Sequence, residues 1–444
     1  MNISTRPNFP SEQTIKRILE EALDNVDPYR LVDQNILHLN DTLCIGNHHA
    51  PKGKFIILVA MGKASLAMTK AAVDNLGARI KRGICVCKTL PEEIPYWQGI
   101  EICQGAHPVP DERSLEAGQR VRKTVCDAER DDLLLVLVSG GSSALVVDPC
   151  EGISLPEIQI MSKLLLKSGA TINEMNCVRK HVERLKGGGL AKLAQPAAVE
   201  ALLLSDVIGD DMSVIASGPT VADSTTFTEA LEIIRKYGLR DQMPPSILAR
   251  LERGARGQEA ETLKADDLLN QNVCNTIIGS NRHAIDAAIE EARRQGIQSF
   301  IVSERMTGEA EDAAKGFLAQ ALEAGKSTQR PFMAIAGGET TVTVRGSGKG
   351  GRNLQVALSV VKQMANLKDA VFVTLATDGE DGPTDAAGAV VTSETMKRAQ
   401  ALNLDPDAYM NNNDAYTFFE KCGGLIKTGS TGTNVNDLTF LFQL

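Results

Sequence analysis

Five short segments set glycine beside Ser, Asp, Lys or Arg where a strand-like run gives out: MGKAS (61–65), SGGSSAL (139–145), SDVIGDD (205–211), GSGKGGRN (346–353) and TDGEDGPTD (377–385). Carboxyl ends of strands form the ligand crevice of open α/β sheets, so polar groups placed there are site candidates. Ser139, Gly140, Gly141, Ser142 and Ser143 lie between a strand and an expected helix, where backbone N–H groups can hold a phosphate or carboxylate. The GxSxG elbow is missing, so Ser142 is not read as a hydrolase nucleophile. Lys63 would sit at the positive end of a helix, a poor place for a cation unless an anion compensates; a solvated surface lysine is the plainer reading. In GSGKGGRN, Lys349 and Arg352 would neutralise an anion that the glycines let approach the backbone.

The acidic loops supply hard oxygen donors. Asp206, Asp210 and Asp211 in one, and Asp378, Asp381 and Asp385 in the other, suit Mg²⁺, which usually takes one or two carboxylates plus substrate phosphates. Half of these aspartates fit equally as turn and helix caps. Glu339 is a further carboxylate at a strand end. Walker A spacing is absent: AGKSTQ (324–329) has the letters but follows a helix and has Gln320 where the first glycine belongs. The six histidines show no HExxH or His/Cys ligand spacing, so no zinc site is expected, and His107 in GAHPVPDE reads as structural. Anion cradles, cations and carboxylates together make a phosphoryl-transfer set, with the acceptor unnamed.

The elements that must carry these groups follow from hydrophobic pattern. An amphipathic helix opens with Ser11 as expected N-cap and Ile15, Ile18, Leu19, Leu23 and Val26 on one face. Apolar runs at 54–62, 83–88, 133–138 and 199–204 alternate with helix formers, the pattern of a parallel sheet covered on both faces. The charged stretch 250–270 is a soft boundary, and a second α/β texture follows it, with FMAIAGGETTVTVRG expected as a strand pair. The expected fold class is α/β: an N-terminal Rossmann-like domain over 1–255 and a C-terminal mixed-sheet domain over 256–444, with the active site in the cleft between them.

Composition narrows the partners. The 444 residues carry 47 Lys+Arg against 56 Asp+Glu, a net charge of −9, which gives no general attraction to nucleic acid or anionic lipid. No apolar run approaches a membrane span, and nine scattered cysteines without a CxxC pair read as reduced thiols, so a cytoplasmic location is expected.

Read in order, AHPVPDE, SGGSSAL, LSDVIGDDMSVIASGPTVAD, GGETTVTVRGSGKGGRNLQVAL, TDGEDGPTDAAGAVV and IKTGSTGTNVNDL resemble the class II glycerate 2-kinases, whose C-terminal part is the MOFRL domain (about 331–440). The resemblance runs from about residue 10 to the end. It implies ATP-dependent, Mg²⁺-assisted phosphorylation of D-glycerate at the 2-hydroxyl, and it leaves a homodimer open. Carried over by position, Lys63, Arg352, Asp206 and Asp378 are catalytic; Ser139 to Ser143, Glu339, Lys349, Asn353, Thr433 and Asn434 bind substrate or nucleotide; Asp210, Asp378 and Asp381 hold the metal. Ser430 and Leu354–Val356 depart from the commoner family pattern. A hydroxypyruvate reductase is the rival reading, but no strand is followed by GxGxxG with an acid about 20 residues on. A non-catalytic sugar-acid-binding protein would leave the acidic and basic loops without a joint purpose.

Overall fold

The computed structural model describes residues 12–39, 42–51 and 54–443; Ser11, the expected helix cap, lies outside them. A small antiparallel sheet comes first: β1 (Ile36–Leu39), β2 (Thr42–Ile45) and β3 (His48–Pro51). Six strands then make the first large sheet: β4 (Phe55–Met61), β5 (Ile80–Cys87), β6 (Ile100–Gln104), β7 (Asp132–Val138), β8 (Ala198–Leu204) and β9 (Val273–Gly279). Their order is β6-β5-β4-β7-β8-β9. β4 pairs in parallel with β5 and with β7, β5 with β6, and β7 with β8. Counted from β4, this is the order 3-2-1-4-5-6 of doubly wound sheets, whose strand order reverses between the first and fourth members. Ile56 to Ala60 and Leu133 to Val138 are completely buried, as continuous apolar strands between helical layers require.

The second large sheet contains β10 (Gln298–Met306), β11 (Phe332–Gly338), β12 (Ala370–Ala376), β13 (Gly388–Thr392), β14 (Leu425–Ile426) and β15 (Asp437–Gln443), in the order β10-β11-β15-β12-β13-β14. Only β10 and β11 run parallel; β15 enters antiparallel between β11 and β12. The expected strand pair over 332–346 is one strand. After Gly338 the chain leaves the sheet, and Thr343 bonds through its N–H and hydroxyl to the Glu309 carboxylate.

Two compact units result, and they do not divide at 255/256. One holds 28–205 and 210–278; the other holds 12–27, 206–209 and 279–443. Residues 256–278 stay with the first unit because β9 completes its sheet, and because Glu261 bonds to His181 while its carbonyl accepts from Lys192 Nζ. The opening helix Glu12–Asp24 belongs with the second unit: its buried Ile15, Ile18, Leu19 and Ala22 form its inner face, it packs on helix Asn281–Arg294, and Arg17 pairs with buried Glu291 at 2.8 Å. Ile18→Ala is therefore expected to cost about 2–5 kcal/mol. Hydrogen exchange should show the lost protection in helix Asn281–Arg294 and not in β4 or β7.

Candidate active site

In the first unit the reversal point falls between β4 and β7. Met61 is in register with both Val86 and Val138, so Gly62-Lys63 and Ser139-Gly140-Gly141 emerge side by side at the strand ends. Lys63 N donates to Gly140 O at 2.9 Å, Ser139 N to Met61 O at 3.0 Å, and Ala64 N to Ser139 Oγ at 3.0 Å. Buried Ser142 donates from Oγ to Met61 O and Ser139 O at 2.9 and 2.6 Å. The hydroxyls of Ser139 and Ser142 lace the two loops together. Gly62 permits this closeness, since a Cβ there would lie 2.2 Å from Ser139 Oγ.

What remains for an anion is backbone. Among the described residues, the N–H groups of Gly141, Ser142 and Ser143 have no protein acceptor, and Gly141 holds φ +87°. The helix behind them spans only Ser142–Leu145, so its dipole adds little; the cradle rests on local N–H groups. Ser143 is propped from beneath: Lys186 Nζ, ion-paired with Glu183, donates to its carbonyl at 3.0 Å, and its hydroxyl meets Ser217 Oγ at 2.9 Å. The exposed Lys63 side chain and the half-buried His107 ring both lie beside Gly141: a Cβ there would lie 3.5 Å from Lys63 Cγ and 3.1 Å from His107 Cδ2. Burial, then Lys63 and Lys88, hold the His107 imidazole below its ordinary value, so it is neutral at pH 7. His107 belongs to this cluster, which its loop sequence did not disclose. Asp210, at φ +56°, lies in this unit.

In the second unit the central residue is Asp437. Because β15 runs against β11 and β12, its first residue stands opposite Gly338 and Ala376, at both carboxyl ends. Arg352, first in helix Arg352–Ser359, grips it with Nε at 2.5 Å and Nη2 at 3.1 Å, while Nη1 reaches Glu339 Oε1 at 2.7 Å. Asn436 Nδ2 bridges Glu339 Oε2 at 3.0 Å to the Asp206 carbonyl at 2.9 Å. Burial disfavours the Arg352 charge, but the two carboxylates outweigh it and hold the guanidinium above its ordinary value. Burial pushes the Asp437 carboxyl up while Arg352 pulls it down. Asn436 and Asp437 lie at the end of the IKTGSTGTNVNDL segment, but neither was expected to have a role; within the residues themselves the signal was an acid heading the final strand.

Several expected roles change here. Asp381 is buried, and its two oxygens accept from Asn353 N (2.9 Å) and Leu354 N (2.8 Å), capping the Arg352 helix; burial pushes its carboxyl up to about 6. That leaves it no free oxygen for a metal. Asn353 is buried in the same cap. The first half of the glycine-rich loop is bound to its own protein, because the N–H groups of Arg345, Gly346, Ser347, Gly348 and Lys349 all bond to Asn412, Asn413 or Asp414. Its glycines serve close packing: Cβ atoms on Gly346 and Gly348 would lie 2.4 and 2.3 Å from that neighbouring segment. The Lys349 ammonium stands 4.0 Å over the Tyr416 ring. Thr433 is buried with an unpartnered hydroxyl, and Asn434 Oδ1 accepts from Asn436 N at 3.1 Å, shaping the turn into β15. Asp211 caps a turn through Ser213 N, and Asp385 bonds to Tyr416 and Lys427.

Asp378 differs from these. One of its oxygens accepts from Glu380 N at 3.2 Å and the other keeps no bond within the described residues. Such a half-exposed carboxylate fits Mg²⁺, which needs few protein ligands. Asp437→Ala should lower stability by about 1–3 kcal/mol in urea unfolding, since it strips Arg352 of its bidentate partner. Asp378→Ala should change it by less than about 0.5 kcal/mol.

Comparison with known proteins agrees with this architecture. A family model described as a domain of unknown function (DUF4147) matches residues 14–252, and the MOFRL family model matches 332–437. A glycerate 2-kinase of Pyrococcus horikoshii is 39% identical over 95% of each chain. A protein of Agrobacterium vitis with a provisional hydroxypyruvate reductase name is 36% identical over 96% of this chain and 93% of that one. The crystal structure of a glycerate kinase from Thermotoga maritima superposes with a TM-score of 0.86 at 37% identity, covering 98% of this chain and 99% of that one. No helix among the described residues is long and apolar enough to cross a membrane. With both domain models in order and similarity along almost its whole length, the chain belongs to the glycerate kinase family that carries a MOFRL domain.

Proposed function

We propose that the protein phosphorylates D-glycerate at its 2-hydroxyl, using ATP with Mg²⁺, to give 2-phosphoglycerate and ADP. The observation that carries this reading is the anion cradle at the β4/β7 reversal point, where Lys63 joins the open N–H groups of Gly141, Ser142 and Ser143. These groups would hold a carboxylate or phosphate. Arg352, fixed by Asp437, would stabilise charge on the transferring phosphoryl group, with half-exposed Glu339 the partner that yields. Asp378 would hold the divalent ion, which supplies neutralising charge on the phosphates. Asp206 is then left to orient or deprotonate the glycerate hydroxyl. The names of the relatives support the acceptor.

The strand order of the first sheet and one relative's name favour the rival hydride-transfer reading. Two residues speak against it. β4 runs into Gly62-Lys63-Ala64-Ser65 where a dinucleotide site has GxGxxG, and β5 is followed by Lys88 where the ribose-binding carboxylate belongs.

The expected outcome is ADP formation that depends on D-glycerate, with a product that enolase dehydrates directly, and no NADH oxidation with hydroxypyruvate. Lys63→Ala and Arg352→Ala should each slow single-turnover phosphoryl transfer by about 100-fold or more. Near-normal chemistry in both variants would overturn the assignment.

A further inference from the structure

Apart from both groups above, three side chains from distant parts of the chain meet within the first unit. His48 heads β3, Glu200 lies within β8 and Cys274 near the start of β9, and one ligand atom from each falls within 4.8 Å of the others. Each belongs to a chemical type that binds transition metals. Adjacent His49 is turned to the opposite face of β3 and meets Cys44 Sγ at 3.0 Å, so it does not join them.

Glu200 carries the second observation. Its side chain has no exposure to solvent. Oε1 is engaged, accepting from Thr276 Oγ1 at 2.9 Å and from Asn47 N at 3.4 Å. Oε2, buried, has no hydrogen-bond partner within the described residues. An acid oxygen left this way bears its full desolvation penalty, more so when charged. The surroundings hold it in place. Asn47 Nδ2 donates to Thr276 Oγ1 at 3.0 Å, and Gly46, at φ +53°, lets the β2–β3 turn press so near that a Cβ would lie 2.3 Å from Oε1. Burial pushes the carboxyl up to about 7, as for an acid without a counter-charge.

We propose that His48, Glu200 and Cys274 form a binding site for one Zn²⁺-class ion, which ties the β2–β3 hairpin to β8 and β9. Imidazole nitrogen, carboxylate oxygen and thiolate sulfur are the zinc donor set, whereas Mg²⁺ and Ca²⁺ take oxygen. Zinc bonds of about 2.0–2.3 Å require the three atoms to draw in by roughly 1 Å. His48 and Cys274 are half-buried, which leaves the fourth position open to water. Binding releases the protons of the acid and the thiol to solvent and changes no oxidation state.

The test uses full-length protein without an affinity tag, stripped with chelator under reducing conditions and titrated with Zn²⁺ and with Co²⁺. One equivalent of each should bind, and Co²⁺ should give a thiolate-to-metal charge-transfer band in the near ultraviolet. Cys274→Ser should abolish that band, and His48→Ala should weaken binding by more than about tenfold. Both residues are half-exposed, and circular dichroism checks their folding independently of Glu200. Cys126→Ser, at an exposed cysteine, should change nothing. Absence of stoichiometric binding, or a band that survives Cys274→Ser, would overturn the proposal.

Discussion

The ion pair between Arg352 and Asp437 organises the working end of the second sheet. It exists because one strand runs backwards: parallel neighbours would offer only their carboxyl ends there, whereas antiparallel β15 delivers its first side chain to the ends of both β11 and β12. Arg352 then links that acid to Glu339, and Asn436 links Glu339 to the Asp206 backbone. A guanidinium does not shed its proton, so the cation of this cluster keeps its charge. The Asp381 cap holds the helix from which Arg352 projects. A carboxylate that looks like a metal ligand in the sequence is thus a support for a cation.

The first sheet meets a similar demand with backbone. Its reversal point carries little side-chain charge beyond Lys63, and its serine hydroxyls hold loops and leave the ligand to main-chain groups. Main-chain dipoles lose no rotamer freedom when they bind and do not titrate, which suits recognition of an anion. Neutral His107 beside Lys63 adds shape without competing charge.

Much of the frame was legible in the sequence, because the runs at 55–61 and 133–138 are too apolar for anything but buried strands and both proved so. The locations of Lys63, Arg352 and Asp378 at strand or helix ends were legible for the same reason. Roles were harder to read. SGGSS and GSGK look alike as letters, yet one keeps open N–H groups and the other has them taken by residues 412–414, about 65 positions later. Long-range pairing decides such cases, and no local pattern records it. Asp437 was missed because its importance comes from strand order, and the 255/256 boundary failed because β9 looks like the opening of a new domain while pairing with the old one. His48, Glu200 and Cys274 have no spacing motif at all.

The allocation of chain between the units bears on how such a protein can be divided or assembled in evolution. The polypeptide changes unit after residues 27, 205, 209 and 278, so neither unit is a single stretch of chain. The first unit lies within residues 28–278, whereas a gene cut at any one point would divide the second unit. The four residues 206–209, which include an acid proposed to meet the substrate, visit the second unit from within the first. The second unit is therefore inherited whole only with the first enclosed in its sequence.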